Sequence, residues 1–334
     1  MLAARLTGVG SLEVGEEPVP TPGPGESLVR VTAVGLCGSD LHWFGQGAIG
    51  DAVITRPLVL GHEMGGVVVG GPLDGRRVAV DPAVPDNTCP RCREGNHNLC
   101  PNVRFAGHGG TDGGLREYMA WPTEHLYPVP EHMDETTVAL LEPLGVALHA
   151  FDLGHVRFAS TVGVVGCGPI GLMLVQVARA ASASRVVAVE PLAHRRAEAS
   201  HSGADLSLHP DELRGQAGDL DTVFEVAGND DAVALAMGLV RPGGRVVLVG
   251  IPDDDATRFP ASLARRKGLT ILMSRRMKEA YPRAVDLVER KVVDLGRLVS
   301  HTFPLAEVRR AFTVAAKREG LKTVVVPTAP AGLA

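Results

Sequence analysis

The feature that most restricts the fold of this chain is a glycine turn, Gly166-Cys-Gly-Pro-Ile-Gly171, between a β-branched run and a helix-like run. The run before the turn is 162–165, and the next apolar run, 185–189, leads into Glu190. Strand and helix patterns then alternate as far as residue 250. This βαβαβ alternation predicts an α/β domain with a doubly wound parallel sheet and helices on both faces.

The same turn indicates a dinucleotide site. Gly166 makes the turn, Gly168 allows backbone to approach a pyrophosphate, and Gly171 lets helix and strand pack closely. Glu190 would accept hydrogen bonds from the adenosine ribose and repel a 2′-phosphate, which favours NAD over NADP. The predicted cofactor residues are Gly166, Gly168, Pro169, Ile170, Gly171, Glu190 and Arg195. Two alternatives stay open: Arg195 meets a 2′-phosphate instead of stacking on adenine, or the turn belongs to a nucleotide-free domain.

Possible metal ligands precede the turn. Cys37, His62 and Glu63 supply a thiolate, an imidazole and a carboxylate from glycine-flanked segments. Each residue alone is more often structural, so the prediction rests on the three together. A zinc ion with three protein ligands keeps one position for water or substrate, which is the arrangement of a catalytic site.

A second group of ligands forms a separate knot, Cys89-Pro-Arg-Cys92 followed by Cys100, with Asp86 as the fourth candidate. This spacing is typical of a closed structural zinc site. Because aspartate is an uncommon ligand there, three free cysteines without metal remain an alternative. A nucleic-acid-binding zinc ribbon is disfavoured, since the segment lacks a second CxxC pair and basic surroundings.

Length and charge narrow the class of protein. A chain of 334 residues suits two domains, and a net charge of −5 with only short basic clusters gives no reason to expect nucleic acid. We expect no membrane segment, because the long run nearly free of charge, 161–178, contains the glycine turn. Three of the five cysteines lie in the knot and no export signal is visible, which favours metal over disulfides and a cytoplasmic protein.

The first ~140 residues read as short strands separated by glycines and predict an all-β domain, a partly closed barrel. Near residue 281 the pattern becomes helix, strand, helix and a final strand at 322–326, which we interpret as a return to the first domain. The predicted domains are therefore 1–150 with 284–334, for zinc binding, and 151–283, for NAD binding.

Taken together, these motifs resemble the zinc-dependent medium-chain dehydrogenases, and within them the sorbitol (polyol) and L-idonate 5-dehydrogenase branch. The matching stretches span nearly the whole chain and are Gly35-Leu-Cys-Gly-Ser-Asp-Leu-His-Trp-Phe, Pro57-Leu-Val-Leu-Gly-His-Glu, the knot, Leu141-Glu-Pro-Leu-Gly-Val-Ala-Leu-His and the glycine turn. The resemblance implies a GroES-like β-barrel domain beside a Rossmann-type domain. It also implies a catalytic zinc on Cys37, His62 and either Glu63 or Glu142, whichever of these carboxylates lies in the inner sphere.

The resemblance further implies how such a site works. A proton would pass from the substrate through Ser39 and the nicotinamide ribose to His42, while Asp40 orients His62. Trp43 and Arg276 stand at substrate-facing positions, although Arg276 as a surface ion-pair partner is an equal alternative. Asp86 departs from the family pattern, because a cysteine normally stands there.

The sequence therefore predicts an enzyme that uses zinc and NAD to oxidise a secondary hydroxyl of a small polyol, sugar acid or cyclitol. One alternative, also by resemblance, is threonine dehydrogenase-like oxidation of an aminohydroxy acid. Another, of a different class, is a non-catalytic zinc- and nucleotide-binding protein. By the same resemblance we expect a homodimer or homotetramer.

Overall fold

A computed structural model describes residues 1–213 and 218–327 of the chain, which divides into two compact units. The first unit comprises Met1–Glu142, Tyr281–Glu289 and the segment from Leu295 onward. The second comprises Pro143–Ala280 and Arg290–Asp294. The main divisions thus follow Glu142 and Ala280, whereas the sequence analysis placed them after residues 150 and 283.

The chain up to Glu142 is mainly strand. Its elements are β1 (Leu2–Gly8), β2 (Ser11–Glu16), β3 (Glu26–Gly35), α1 (Gly38–Gln46), β4 (Ala48–Ile49), β5 (Ala52–Val53), β6 (Leu58–Val59), β7 (Glu63–Val69), β8 (Arg77–Val80), β9 (Ala83–Val84), α2 (Pro90–Arg93), β10 (Arg104–Phe105), β11 (Tyr118–Pro122), β12 (Leu126–Pro128) and α3 (Glu135–Ala139).

The next stretch alternates helix and strand. Its elements are α4 (Leu141–Gly154), β13 (Thr161–Val165), α5 (Pro169–Ala180), β14 (Arg185–Val189), α6 (Ala193–His201), β15 (Leu206–Leu208), β16 (Leu220–Glu225), α7 (Asp230–Leu239), β17 (Val240–Leu248), α8 (Ala261–Lys267) and β18 (Thr270–Met273). The chain then forms α9 (Tyr281–Glu289), β19 (Val299–Pro304), α10 (Val308–Ala316) and β20 (Lys322–Val326).

The main sheet of the first unit has the order β12-β8-β7-β3-β20-β19, with β11 also paired to β3. The last strand, β20, therefore lies beside β3, antiparallel to it, with Val324 opposite Gly35. The expected final strand is confirmed, and it lies next to the strand that leads into Cys37. A buried apolar cluster drawn from the strands and from α10 fills this unit.

The expectation that the first ~140 residues are all β is wrong at one important place. Residues Gly38–Gln46 form the helix α1, which carries Ser39, Asp40, His42 and Trp43. Two glycines within its nine residues give this segment a weak intrinsic helix preference, so no helical pattern stands out in the sequence. The helix is stabilised instead by its ends: the Asp40 carboxylate accepts the Cys37 N–H at 2.9 Å, and Gly47 ends the helix in a left-handed conformation.

The second unit confirms the doubly wound prediction. Among its described residues the sheet has the order β15-β14-β13-β16-β17-β18, and every pairing is parallel. The chain winds outward in both directions from the β13–β16 pair. In such sheets ligands bind at the carboxyl ends of the strands, next to this switch point. The glycine turn follows β13 at this end.

Within residues 1–213 and 218–327, no helix is both long enough and apolar enough to cross a membrane.

Candidate active site

Three of the predicted ligands come together in the first unit. One ligand atom each from Cys37, His62 and Glu63 lies within 4.8 Å of the others. Cys37 precedes α1, His62 follows β6, and Glu63 begins β7. Sulfur, nitrogen and oxygen donors so close together, with the imidazole and the carboxylate buried, match the donor set of a zinc site with an open position.

Asp40 orients the imidazole ring of His62. Its carboxylate is fully buried and accepts the Cys37 N–H at 2.9 Å and the Gly61 N–H at 3.1 Å. Its Oδ1 also lies 3.6 Å from His62 Nδ1. Burial alone would raise the pKa of Asp40, but His62 and the two N–H groups outweigh it and lower that pKa. The second ring nitrogen of His62 therefore stays available as a donor to a metal.

The surroundings of His62 favour a cation. Burial acts to lower the pKa of this imidazole, but the charges of Asp40 and Cys37 raise it well above its ordinary value. A site whose anionic groups attract a proton this strongly attracts a divalent cation by the same charges. The residues present therefore fit a bound zinc ion.

Ser39 and His42 lie on one side of α1, three residues apart and both partly exposed. Ser39 Oγ is 3.4 Å from His62 Nε2, so this hydroxyl reaches the ligand cluster. His42 Nδ1 lies 3.4 Å from Gln46 Oε1, in the next turn of the same helix. A path that carries a proton outward would use this order, in which a hydroxyl stands between the metal ligand and an imidazole.

Two glutamates lie in this buried region, and they differ in their partners. The Glu63 carboxylate forms an ion pair with the buried ammonium of Lys322, with Oε1 at 2.7 Å. Glu142 is 5% exposed, and its side chain receives no hydrogen bond from the part of the chain that is described. Burial, reinforced by the charge of Glu63, raises the pKa of Glu142 to about 8, although His62 opposes this.

The knot residues also come together. Ligand atoms of Asp86, Cys89, Cys92 and Cys100 lie within 4.8 Å of one another, and the three cysteines are buried. Backbone N–H groups point at sulfur, with Cys92 N 3.4 Å from Cys89 Sγ and Asp86 N 3.4 Å from Cys100 Sγ. Burial and the neighbouring thiols raise the pKa of Cys92 to about 12, so a cluster of thiolates here requires a cation.

Asp86 is held firmly in the knot. Its Oδ1 accepts the N–H groups of Thr88 and Cys89, each at 2.9 Å, and its Oδ2 accepts the amide of Asn102 at 2.6 Å. A carboxylate oxygen has two lone pairs, so Oδ2 retains one for a metal. This geometry suits a single-oxygen ligand, and the residues present fit a structural zinc ion.

The glycine turn of the second unit is sterically required at two positions. Gly166 has φ +96°, and a Cβ there would lie 2.9 Å from the Ala227 nitrogen. A Cβ on Gly171 would lie 2.0 Å from the Gly166 carbonyl oxygen. At Gly168, by contrast, a Cβ would meet only the Arg195 guanidinium, at 3.7 Å. The backbone is therefore closely packed at Gly166 and Gly171 and open at Gly168, where a phosphate could approach it.

Glu190 is buried directly after β14. It is 4% exposed and accepts the N–H groups of Cys167 at 2.8 Å and Leu192 at 2.9 Å. These bonds tie the glycine turn to the loop after β14. Since each carboxylate oxygen has a second lone pair, ribose hydroxyls remain possible partners. The bond to Cys167, whose own pKa burial raises, supports a structural role for that cysteine as well.

The two predicted substrate residues lie in different units. Trp43 is 2% exposed in the core of the first unit, and its ring centroid lies 5.2 Å from that of His108, with the ring planes at 70°. Arg276 belongs to the second unit and has a left-handed backbone, with φ +54°. Their roles toward a substrate stay predictions.

Sequence reasoning missed the residues next to His62. The ring centroid of Phe105 lies 5.4 Å from that of His62 and 6.3 Å from that of His108. A row of aromatic rings therefore leads from His62 to Trp43. The loop that carries His108 packs tightly on Gly61, because a Cβ on Gly113 would lie 2.2 Å from the Gly61 carbonyl oxygen. The run of glycines in 107–114 was the available signal.

Comparisons with known proteins agree with this geometry. Residues 23–131 match the alcohol dehydrogenase GroES-like domain, and residues 169–290 match the zinc-binding dehydrogenase domain. Sorbitol dehydrogenase from Macaca fascicularis is 34% identical over 97% of this chain and 95% of its own length. The chain belongs to the zinc-dependent medium-chain dehydrogenases. It is thus an oxidoreductase of a family that combines zinc with a nicotinamide cofactor, as the sequence analysis predicted.

Solved structures place it in the same family. L-idonate 5-dehydrogenase from Escherichia coli superposes with a TM-score of 0.91 at 28% identity, covering 98% of each chain. A zinc-binding dehydrogenase from Sinorhizobium meliloti, bound to NADP, gives 0.90 at 32% identity, covering 98% of this chain and 99% of that one. The GroES-like and Rossmann-type fold class is confirmed.

Proposed function

We propose that this dehydrogenase oxidises a secondary hydroxyl of a polyol, sugar acid or cyclitol to a ketone, with NAD as hydride acceptor. The observation that carries the proposal is the cluster of Cys37, His62 and Glu63, in a chain whose second unit has the glycine turn of a dinucleotide site. The similarity to proteins named for sorbitol and for L-idonate supports polyhydroxylated substrates.

The site residues of the first unit have separate tasks in this reaction. Zinc, when bound, supplies Lewis acidity that lowers the pKa of a substrate hydroxyl, and NAD accepts the hydride. Cys37 and His62 hold the metal, and Asp40 fixes the ring of His62. Ser39 relays the hydroxyl proton through the nicotinamide ribose to His42, which is partly exposed on α1 and passes it to solvent.

The choice of cofactor follows from Glu190. A buried carboxylate at the end of β14 repels a 2′-phosphate, so we propose NAD rather than NADP. Because the similar Sinorhizobium meliloti structure contains NADP, the preference for NAD has to be measured. Arg195, close to Gly168, is the residue that would favour NADP if the proposal fails.

The experiment is an initial-rate panel with NAD and, in parallel, NADP. It should contain sorbitol, xylitol, a sugar acid, a cyclitol and threonine at equal concentration. We expect turnover of at least one secondary polyhydroxy alcohol and a higher kcat/KM with NAD. Threonine as the preferred substrate would favour the aminohydroxy-acid alternative. Binding of zinc and NAD without turnover of any alcohol would favour the non-catalytic alternative.

We also propose a homodimer or homotetramer in the cytoplasm, formed along the strand 245–249 and the segment that follows it to residue 258. Light scattering coupled to size exclusion gives the mass in solution directly. A monomer would contradict this part of the proposal.

A further inference from the structure

A buried lysine contacts the metal-ligand cluster. Lys322 is 3% exposed, and its Nζ donates to Glu63 Oε1 at 2.7 Å and to the Leu36 carbonyl oxygen at 2.9 Å. It also forms an ion pair with the other oxygen of the same carboxylate. Lysine is seldom fully buried unless it is paired, and here the partner is a candidate zinc ligand.

The sheet of the first unit brings this pair together across a glycine. Strand β3 lies between β20 and β7, with Gly35 opposite Glu63 on one side and opposite Val324 on the other. A Cβ on Gly35 would lie 2.2 Å from Glu63 Oε2 and 3.1 Å from Lys322 Cε. The missing side chain of Gly35 therefore provides the space in which Lys322 reaches Glu63.

Lys322 and a metal would use the same carboxylate. One ligand atom of Glu63 lies within 4.8 Å of those of Cys37 and His62, while the ammonium of Lys322 contacts both oxygens of Glu63. The positive charge of the ammonium withdraws electron density that the carboxylate would otherwise donate to the metal. The buried carboxylate of Glu142 is a second candidate, although it does not belong to the group of ligand atoms that lie within 4.8 Å of one another.

We propose that Lys322 is a positioning residue of the metal centre that limits how strongly Glu63 binds the metal. A metal that receives less charge from Glu63 polarises a substrate hydroxyl more strongly and retains an exchangeable position. The consequence for the reaction rests on the proposed metal-dependent oxidation. The effect on the metal itself does not, and it can be measured without any substrate.

The test removes the charge of Lys322 and measures the coordination and the affinity of the metal directly. Wild type, Lys322→Met, Lys322→Arg and the double variant Lys322→Met with Glu63→Gln are prepared with Co²⁺ in place of zinc. The readouts are the ligand-field absorption spectrum and the metal affinity, from competition with a chelator. Cobalt at the knot is subtracted with a Cys37→Ser protein, which retains that site.

For Lys322→Met we expect a changed ligand-field spectrum and tighter binding, on the order of tenfold, because Glu63 then donates fully. We expect Lys322→Arg to resemble wild type, and the double variant to lose the gain in affinity. With substrate, kcat of Lys322→Met should fall, on the order of tenfold, with little change in KM.

If Lys322 only stabilises the fold, the result will be different. Lys322→Met would then lose stability, while its cobalt spectrum and metal affinity stay those of wild type, and this outcome overturns the proposal. If Lys322→Met does not fold, Lys322→Gln removes the charge but keeps a donor, and the same two outcomes decide. Altered spectra in a protein that oxidises no alcohol would support the role of Lys322 and contradict the proposed function.

Discussion

Replacing Asp40 should weaken metal binding at the catalytic site. Its two oxygens accept different backbone N–H groups, from Cys37 and Gly61. In Asp40→Asn one of these N–H groups would face an amide N–H₂ instead of an acceptor, and the charge behind His62 would be lost. We expect zinc affinity at the catalytic site to fall about 10- to 100-fold, as for other residues that orient a ligand.

Zinc competition with a chelator measures this loss. Asp51→Asn is a matched control, because Asp51 is an exposed aspartate in the same unit and should leave the affinity unchanged. The account of Asp40 would be wrong if Asp40→Asn held zinc as tightly as wild type while it remained folded.

At the residue scale, sequence reading found ligands that lie near one another along the chain. Cys37, His62 and Glu63 fall within 27 residues and stand beside glycines, so their joint pattern was visible. Lys322 pairs with Glu63 across a separation of 259 residues, and a lysine before an apolar run ordinarily marks the exposed edge of a strand. Only the pairing of β20 with β3 shows that Lys322 is buried.

At the scale of elements, Asp134 offers a test of how the short helix α3 is held. Its carboxylate accepts the Thr137 N–H at 2.9 Å and the Thr136 hydroxyl at 2.6 Å, which makes it the N-cap of this five-residue helix. Asp134→Ala should lower the free energy of unfolding by about 1 kcal/mol at pH 7, as measured by urea denaturation.

The effect should depend on pH. Burial raises the pKa of Asp134, but the hydrogen bonds from Thr136 and Thr137 outweigh it and hold the pKa below its ordinary value. A carboxyl with a lowered pKa in the fold stabilises above its unfolded pKa, about 3.9, and loses this contribution as the pH falls further. The gap between wild type and Asp134→Ala should therefore narrow below about pH 4. Asp134→Asn keeps the capping oxygen but has no carboxyl to titrate, so its gap to Asp134→Ala should not change with pH. A gap between wild type and Asp134→Ala that widens in acid would contradict this account.

Elements differed in how well the sequence predicted them. The helix α5 and the strands β13 and β14 were predicted, because β-branched runs and the glycine turn mark them. The helix α1 was missed, although it carries both residues of the proposed proton path. Its stability comes from its ends and from the packing of Trp43, and neither leaves a periodic pattern in nine residues.

At the scale of the whole chain, the candidate zinc ligands lie in one compact unit and the candidate NAD-binding residues lie in the other. Every candidate ligand of the catalytic site, together with Lys322, belongs to the first unit, although these residues are spread from position 37 to position 322. The glycine turn and Glu190 belong to the second unit. The matched domain 23–131 lies in the first unit, and the matched domain 169–290 lies in the second except for Tyr281–Glu289. The ligand pattern and the alternation were enough to predict zinc binding and dinucleotide binding. Sequence patterns do not position loops such as 105–113, which brings His108 next to Trp43.

The central claim is that a metal held by Cys37 and His62 is what makes alcohol oxidation possible. The most direct measurement is zinc content and NAD reduction in the same samples of wild type, Cys37→Ser and Cys100→Ser, with a polyol that wild type oxidises. Cys100→Ser is the matched control, because it alters the knot and leaves the catalytic ligands in place.

We expect Cys37→Ser to lose the zinc of that site and to turn over at least roughly 10³-fold more slowly, since such a metal contributes several kcal/mol to catalysis. Cys100→Ser should lose zinc from the knot and stability, but the fraction that stays folded should keep its kcat. Full turnover by Cys37→Ser without zinc in that site would contradict the account.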